Sequence, residues 1–212
     1  MILVIETATP ACSVALIEGD TLIDERNALV GRGHAERLLP MIAELLAGRR
    51  PDSILVDCGP GSFTGVRVGL AAAQGLRIGW GVPLAGFSSL AAIAAAGRDG
   101  GEIAVALHGG HGQLFVQCFG DEPMRPLDAL SSLPPAQAAA VTRAHKVAGS
   151  GAAALVAARG HGEAVDALPS AADARLLPLA LRSLPARPLY GRGPDAKPVL
   201  SDGAGGVEGP MS

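Results

Sequence analysis

Gly59-Pro60-Gly61-Ser62-Phe63-Thr64-Gly65-Val66-Arg67-Val68-Gly69-Leu70 is the most informative stretch of this 212-residue chain. It follows a short apolar run, Ile54-Leu55-Val56, closed by Asp57-Cys58, and leads into a small-residue segment reaching Gly79. That is strand, glycine turn and helix, with the turn at the carboxyl end of the strand, where open α/β sheets place their sites. On the helical period, Gly65, Gly69, Ala72, Leu76 and Gly79 fall on one narrow stripe, with Arg67, Gln74 and Arg77 on the far side. A glycine inside a helix costs roughly 1 kcal/mol relative to alanine. Three on one face therefore predict a compensating close backbone contact.

Neither familiar phosphate-loop pattern is met. A P-loop needs Lys-Ser/Thr after its last glycine, so that an ammonium reaches the phosphates and a hydroxyl reaches magnesium; here Gly65 is followed by Val66-Arg67. The dinucleotide fingerprint needs a third glycine where Thr64 stands. It also needs an acid some way downstream, and the next strand, Pro83-Leu84-Ala85-Gly86-Phe87, offers none. Ser62 and Thr64 could be nucleophiles, yet no histidine–acid pair is signalled to activate them. Capping the helix is the simpler role.

Composition narrows the class. A hydrophobic content of 49% with only 3% aromatic residues predicts a core of Ala, Val, Leu and Ile. A formal net charge of −3 gives no strong field for nucleic acid. The opening Met1-Ile2-Leu3-Val4-Ile5-Glu6 lacks a basic leader and meets an acid too early for a signal peptide. The most apolar stretch, 66–82, is interrupted by Arg67, Gln74 and Arg77, which argues against a membrane span. A cytoplasmic protein is expected. Cys12, Cys58 and Cys118 are odd in number, far apart and in strand-like runs, as buried reduced thiols would be.

Periodicity organises the chain into two unequal α/β parts and a tail. Ile2 to Ile5 reads as a buried strand, and Cys12 to Ile17 with Thr21 to Ile23 as a hairpin turning at Gly19-Asp20. A helix follows from His34 to Leu46 with apolar residues at core spacing, Pro40 predicting a kink or restart. The strand at Ile54, the glycine-rich helix, a strand near Leu84 and a helix opening at Ser88-Ser89 complete residues 1–97. Arg98-Asp99-Gly100-Gly101 marks a boundary. A smaller part, 102–197, has strands at Ile103–Leu107, Gln113–Phe119 and Lys146–Ala148. Gly149-Ser150-Gly151 leads into an alanine-rich helix, and a late helix is expected around Leu176–Leu181. Residues 198–212 are too poor in apolar residues to fold.

The opening Ile2-Leu3-Val4-Ile5-Glu6-Thr7-Ala8-Thr9 with Cys12 to Leu16 resembles the first hairpin of the actin-like ATPase fold. His34-Ala35-Glu36-Arg37-Leu38-Leu39-Pro40, the Gly59–Leu70 run, and Pro188-Leu189-Tyr190-Gly191-Arg192 with Pro194-Asp195-Ala196 resemble the TsaB family, also described as glycoprotease-like or M22-like. The resemblance implies an α/β actin-like (ASKHA, ribonuclease H-like) fold with a reduced second part. It implies a non-catalytic subunit in the synthesis of threonylcarbamoyladenosine on tRNA, pairing with TsaD, able to self-associate, and working with the ATPase TsaE. The catalytic relatives carry His-x-x-x-His, whose i, i+4 spacing can hold one metal ion, on the helix matching His34 to Leu46. Leu38 takes the second place here. No catalytic, cofactor or metal site is therefore expected, and His34 becomes a helix-start or surface residue.

Glu6 takes the place of the acid that handles metal or water in nucleotide-using relatives; equally it is a polar strand end bonding turn amides. His108 and His111 flank a glycine turn and are expected to be solvated. Gly149-Ser150-Gly151 resembles an adenine-side turn of actin-like ATPases. The partner surface is expected to combine the stripe Gly65, Gly69, Ala72, Leu76 and Gly79 with Leu38, Ile42 and Leu45, the alternative being that this face packs on the protein's own sheet. Contact with tRNA is expected only through TsaD, with a basic edge at Arg187, Arg192 and Lys197 as the exception. The competing reading is an active actin-like enzyme, either an ATP-dependent transferase or a metallopeptidase.

Overall fold

The computed structural model describes residues 1–191; Arg192, Lys197, the Pro194-Asp195-Ala196 motif and the 198–212 tail lie outside the described residues. The first sheet grows from β1 (Ile2–Glu6), which is apolar on both faces because it is covered on both. It pairs antiparallel with β2 (Ala11–Glu18) and parallel with β4 (Ser53–Asp57). β3 (Thr21–Leu29) and β5 (Leu84–Phe87) flank these, giving the order β3-β2-β1-β4-β5. Leu3, Ile5, Ile54 and Val56 point to one face, where α1 (His34–Leu46) and α2 (Phe63–Trp80) cover them. Val4 and Leu55 point to the other, against α3 (Ser89–Gly97).

The second sheet repeats this plan. β6 (Ile103–His108) pairs antiparallel with β7 (Leu114–Gly120), which carries the short β8 (Arg125–Pro126) and β9 (Ser131–Leu133). On its other side β6 runs parallel to β10 (Lys146–Ala148), and β10 to β11 (Glu163–Val165). α4 (Pro135–Val141) and α5 (Ala152–Arg159) occupy the places of α1 and α2. This doubled arrangement is the actin-like fold, with the second copy reduced. α3 joins the copies: every residue from Ser89 to Ala95 is buried, and one apolar core runs from Val4 and Leu55 through α3 to Ile103, Val105 and Phe119.

Three expectations are narrowed or corrected. α1 runs continuously through Pro40, which sits on the solvent side, so of the kink and the restart the restart is ruled out. The late helix is two 3₁₀ turns, Ala171–Leu176 and Leu179–Arg182, separated by Pro178. The strands divide at 98–101, but the chain after β11 does not stay with the second sheet. Ala171 N donates to Ser13 Oγ (2.9 Å), Leu184 bridges Gly86, and Leu189 N donates to Cys58 O (2.8 Å). The carboxyl-terminal segment is a strap over the first half.

Candidate functional site

β1 and β4 are neighbours and both end in an acid. Each acid folds back on its own turn. Glu6 Oε1 accepts from Ala8 N (2.8 Å) and Oε2 from Ser13 Oγ (3.1 Å). Asp57 Oδ1 accepts from Gly59 N (2.7 Å), and both its oxygens accept from Ser89 Oγ (2.8 Å). Glu6 is 0% and Asp57 1% exposed. Burial, and then the neighbouring Asp57, push the Glu6 carboxyl well above the usual range; burial pushes Asp57 up to about 7. The pair braces the two turns, Ser13 and α3, and neither carboxylate faces solvent. Glu6 makes the turn-amide bond that its strand-end reading expects, and Ser13 extends the network by tying the strap to β2.

His34 begins α1, yet it is buried, not a surface residue. Its Nε2–H points at Thr9 O (2.8 Å) and Ala11 O (3.1 Å), latching the β1–β2 turn to the helix. Leu38, one turn on, is sealed in the core. His108 and His111 are exposed on the far half, as expected of turn residues. Among the described residues no group of three His, Cys, Asp or Glu side chains is placed to hold a metal ion. The three cysteines are free and buried, and burial raises the Cys12 thiol to about 11 and those of Cys58 and Cys118 to about 12, which makes them poor nucleophiles.

The helix stripe divides. Gly65 and Gly69 face inward: a Cβ at Gly65 would lie 2.1 Å from Thr7 O, and one at Gly69 2.4 Å from Thr7 Oγ1. Thr7 Oγ1 also donates to Gly65 O (2.8 Å), so the close contact is with the protein's own β1 turn. Leu38, Ile42 and Leu45 are buried beneath α1 on the same sheet. Ala72 and Leu76 are half-buried at the core's edge, and Gly79 is exposed with open space around it. The expected partner face is therefore mostly internal. Among what α1 and α2 show to solvent are Leu39 (52% exposed), Phe63 (61%) and Ile78 (79%), together with small residues such as Ala43 and Ala71 and the charged Glu36, Arg37, Glu44, Arg67 and Arg77. Ser62 caps α2 by accepting from Gly65 N (3.2 Å).

A second feature lies where the two halves meet. The turns after β1 and β4, the end of β6 and the strap segment 188–191 enclose a cleft of about 1030 Å³. On its rim the Arg67 guanidinium lies 3.7 Å from the Phe63 ring centroid and donates to Tyr190 Oη (3.2 Å). Ser150 and His108 stand on the facing wall, with Ser150 Oγ accepting from His108 N (3.2 Å). Sequence reading placed Tyr190 in a motif but had no signal for where it would sit.

Residues 28–167 match the family model described as "TsaD: tRNA N6-adenosine threonylcarbamoyltransferase". The chain belongs to this family. Within the TsaD-type family it is 32% identical to an uncharacterized protein of Mycobacterium tuberculosis over 93% of this chain and 94% of that one. It is 45% identical to the tRNA threonylcarbamoyladenosine biosynthesis protein TsaB of Haemophilus influenzae, over 45% of this chain and 42% of that protein. The match thus spans less than half of that TsaB. YeaZ from Pseudomonas aeruginosa superimposes with a TM-score of 0.76 at 30% identity, covering 89% of this chain and 98% of that structure. The TsaB resemblance read from the sequence stands on these relatives.

Proposed function

We propose that this chain is a TsaB-type accessory subunit in tRNA threonylcarbamoyladenosine biosynthesis, pairing with a TsaD-type catalytic subunit and performing no chemistry alone. The observation that carries this reading is the contrast within the first half. Its two strand-end acids are sealed from solvent, while its two long helices expose three large apolar side chains, Leu39, Phe63 and Ile78. Exposed apolar side chains rimmed by polar ones mark interaction sites, and the small exposed residues Ala43, Ala71 and Gly75 on the same helices would let a partner come close. The corrected partner surface is therefore the outer side of α1 and α2, with Gly79 retained from the sequence reading and Gly65, Gly69, Leu38, Ile42 and Leu45 supporting it from within. A second copy of the chain can use the same face, and TsaE joins through the assembled complex.

Sealed acids also weigh against the competing enzyme reading, since a group that touches substrate must reach it. Direct tRNA binding by the isolated chain is expected to be weak, on the order of 10⁻⁴ M at physiological salt. Of the proposed basic edge, Arg187 is exposed on the strap. The test is co-purification with TsaD from the same organism, then tRNA modification assayed with and without this chain. Stable pairing and modification that depends on the chain are expected. Modification by TsaD alone at the full rate, or turnover of ATP or peptide by this chain alone, would overturn the reading.

A further inference from the structure

The actin-like fold implies a magnesium–nucleotide in the cleft between its halves, and the residues present do not fit one. The turn amides that would cradle phosphates are largely spent inside the protein. Ala8 N and Gly59 N go to Glu6 and Asp57, Ser62 N to Ala8 O, and Gly65 N to the Ser62 cap. Across the cleft, Gly149 N donates to Val165 O and Gly151 N to Ala106 O. No Asp or Glu is among the described residues lining the cleft, so the donor set for magnesium is missing. Arg67 is the single Lys or Arg there, and it is already engaged by Phe63 and Tyr190.

What the cleft does hold is aromatic surface. The chain has only four Phe, one Tyr and one Trp, and Phe63, Phe115 and Tyr190 all line this one cavity. Leu107, Leu168 and Leu189 complete an apolar lining. Hydroxyls are set sparsely among them: the Tyr190 and Ser150 oxygens each accept one bond from the protein and keep a hydrogen to donate. A mostly apolar cavity with a few hydroxyl donors suits an uncharged planar ring bearing acceptor atoms. Among the described lining residues, the cations a phosphate could meet are Arg67, already engaged, and the imidazoles of His108 and His111, so most of the water it would lose is not replaced.

The geometry points to a binding site for an uncharged planar heteroaromatic molecule of nucleoside size, from which nucleoside polyphosphates are excluded. Adenosine and ATP, which share one ring and differ in the phosphates, separate the two possibilities. Calorimetric titration of the isolated full chain leaves pairing with TsaD out of the measurement, so the outcome is independent of the accessory-subunit reading. Saturable adenosine binding is expected, with ATP and magnesium at least about tenfold weaker. Tyr190→Ala and, separately, Phe63→Ala should each weaken adenosine about fivefold or more through lost stacking. Both side chains are exposed, and an unchanged melting curve checks that each variant is folded. ATP binding as tightly as adenosine, no saturable adenosine binding up to its solubility limit, or unchanged affinity in both folded variants would each overturn the assignment.

Discussion

The two halves of this molecule follow one plan and are finished differently. α1 and α2 run 13 and 18 residues, whereas their counterparts α4 and α5 run 7 and 8. The longer pair does two jobs. Its inner side seals Leu38, Leu45, Val66 and Leu70 against the first sheet, and its outer side leaves Leu39, Phe63 and Ile78 in solvent. The shorter pair covers a smaller core around Ala104, Ala106 and Val147 and presents one large exposed apolar side chain, Val141. Under the proposed function, length beyond what a sheet needs for cover, combined with apolar residues on the uncovered side, is what would suit the first pair to a partner and leave the second only to close the fold.

The strongest way to break this comparison is at the inner contact. Gly69→Leu should destabilise the protein by about 3 kcal/mol by overpacking, because its Cβ alone would lie 2.4 Å from Thr7 Oγ1. Chemical denaturation measures this, and an unchanged midpoint would mean that the glycine row is not a packing contact of this chain. Next in size, Ile78→Asp should leave the fold intact and weaken pairing with TsaD by about 2 kcal/mol, the scale of an interface hot spot. Light scattering and calorimetry on the mixed proteins decide it.

A smaller effect belongs to the acid pair. Both carboxyls titrate higher in the folded protein than in the unfolded chain, so folding favours their protonated forms. Their contribution is complete below about pH 4 and is lost as pH rises toward about 7, where Asp57 ionises in the native state. Asp57→Asn removes one of these titrations while keeping an oxygen to accept from Gly59 N. The urea midpoint of this variant should therefore fall less steeply between those pH values than that of the unaltered protein. The smallest effect is the control: Val141→Asp, on a helix of the second half and 59% exposed, should change stability by under ~0.5 kcal/mol and leave pairing with TsaD unchanged.

Much was legible before any coordinates. Ile54 to Asp57 with the Gly59–Gly61 turn read as strand and turn, because a short apolar run with β-branched residues that ends in glycine and proline favours a strand over a helix. The hairpin at Gly19-Asp20 and the helices to Gly97 follow from the same local physics. Strands of two or three residues such as β8, β9 and β11 were missed, since so short a run carries no period. A close contact on the glycine stripe was also readable, because three helical glycines on one face need a compensating approach.

Tertiary structure alone decided what makes that approach. Period 3.6 identifies a face but says nothing about what covers it, and the covering group, Thr7, is 58 residues away in sequence from Gly65. The same holds for Ser13 meeting Ala171 and for Arg67 meeting Tyr190, pairs separated by 158 and 123 residues. The composition and local pattern of this chain determined its longer elements through Gly97 and carried the resemblance to its family. The fate of each polar or glycine face was settled only when distant segments closed on it, because burial energy depends on the partner surface and not on the residue that is buried.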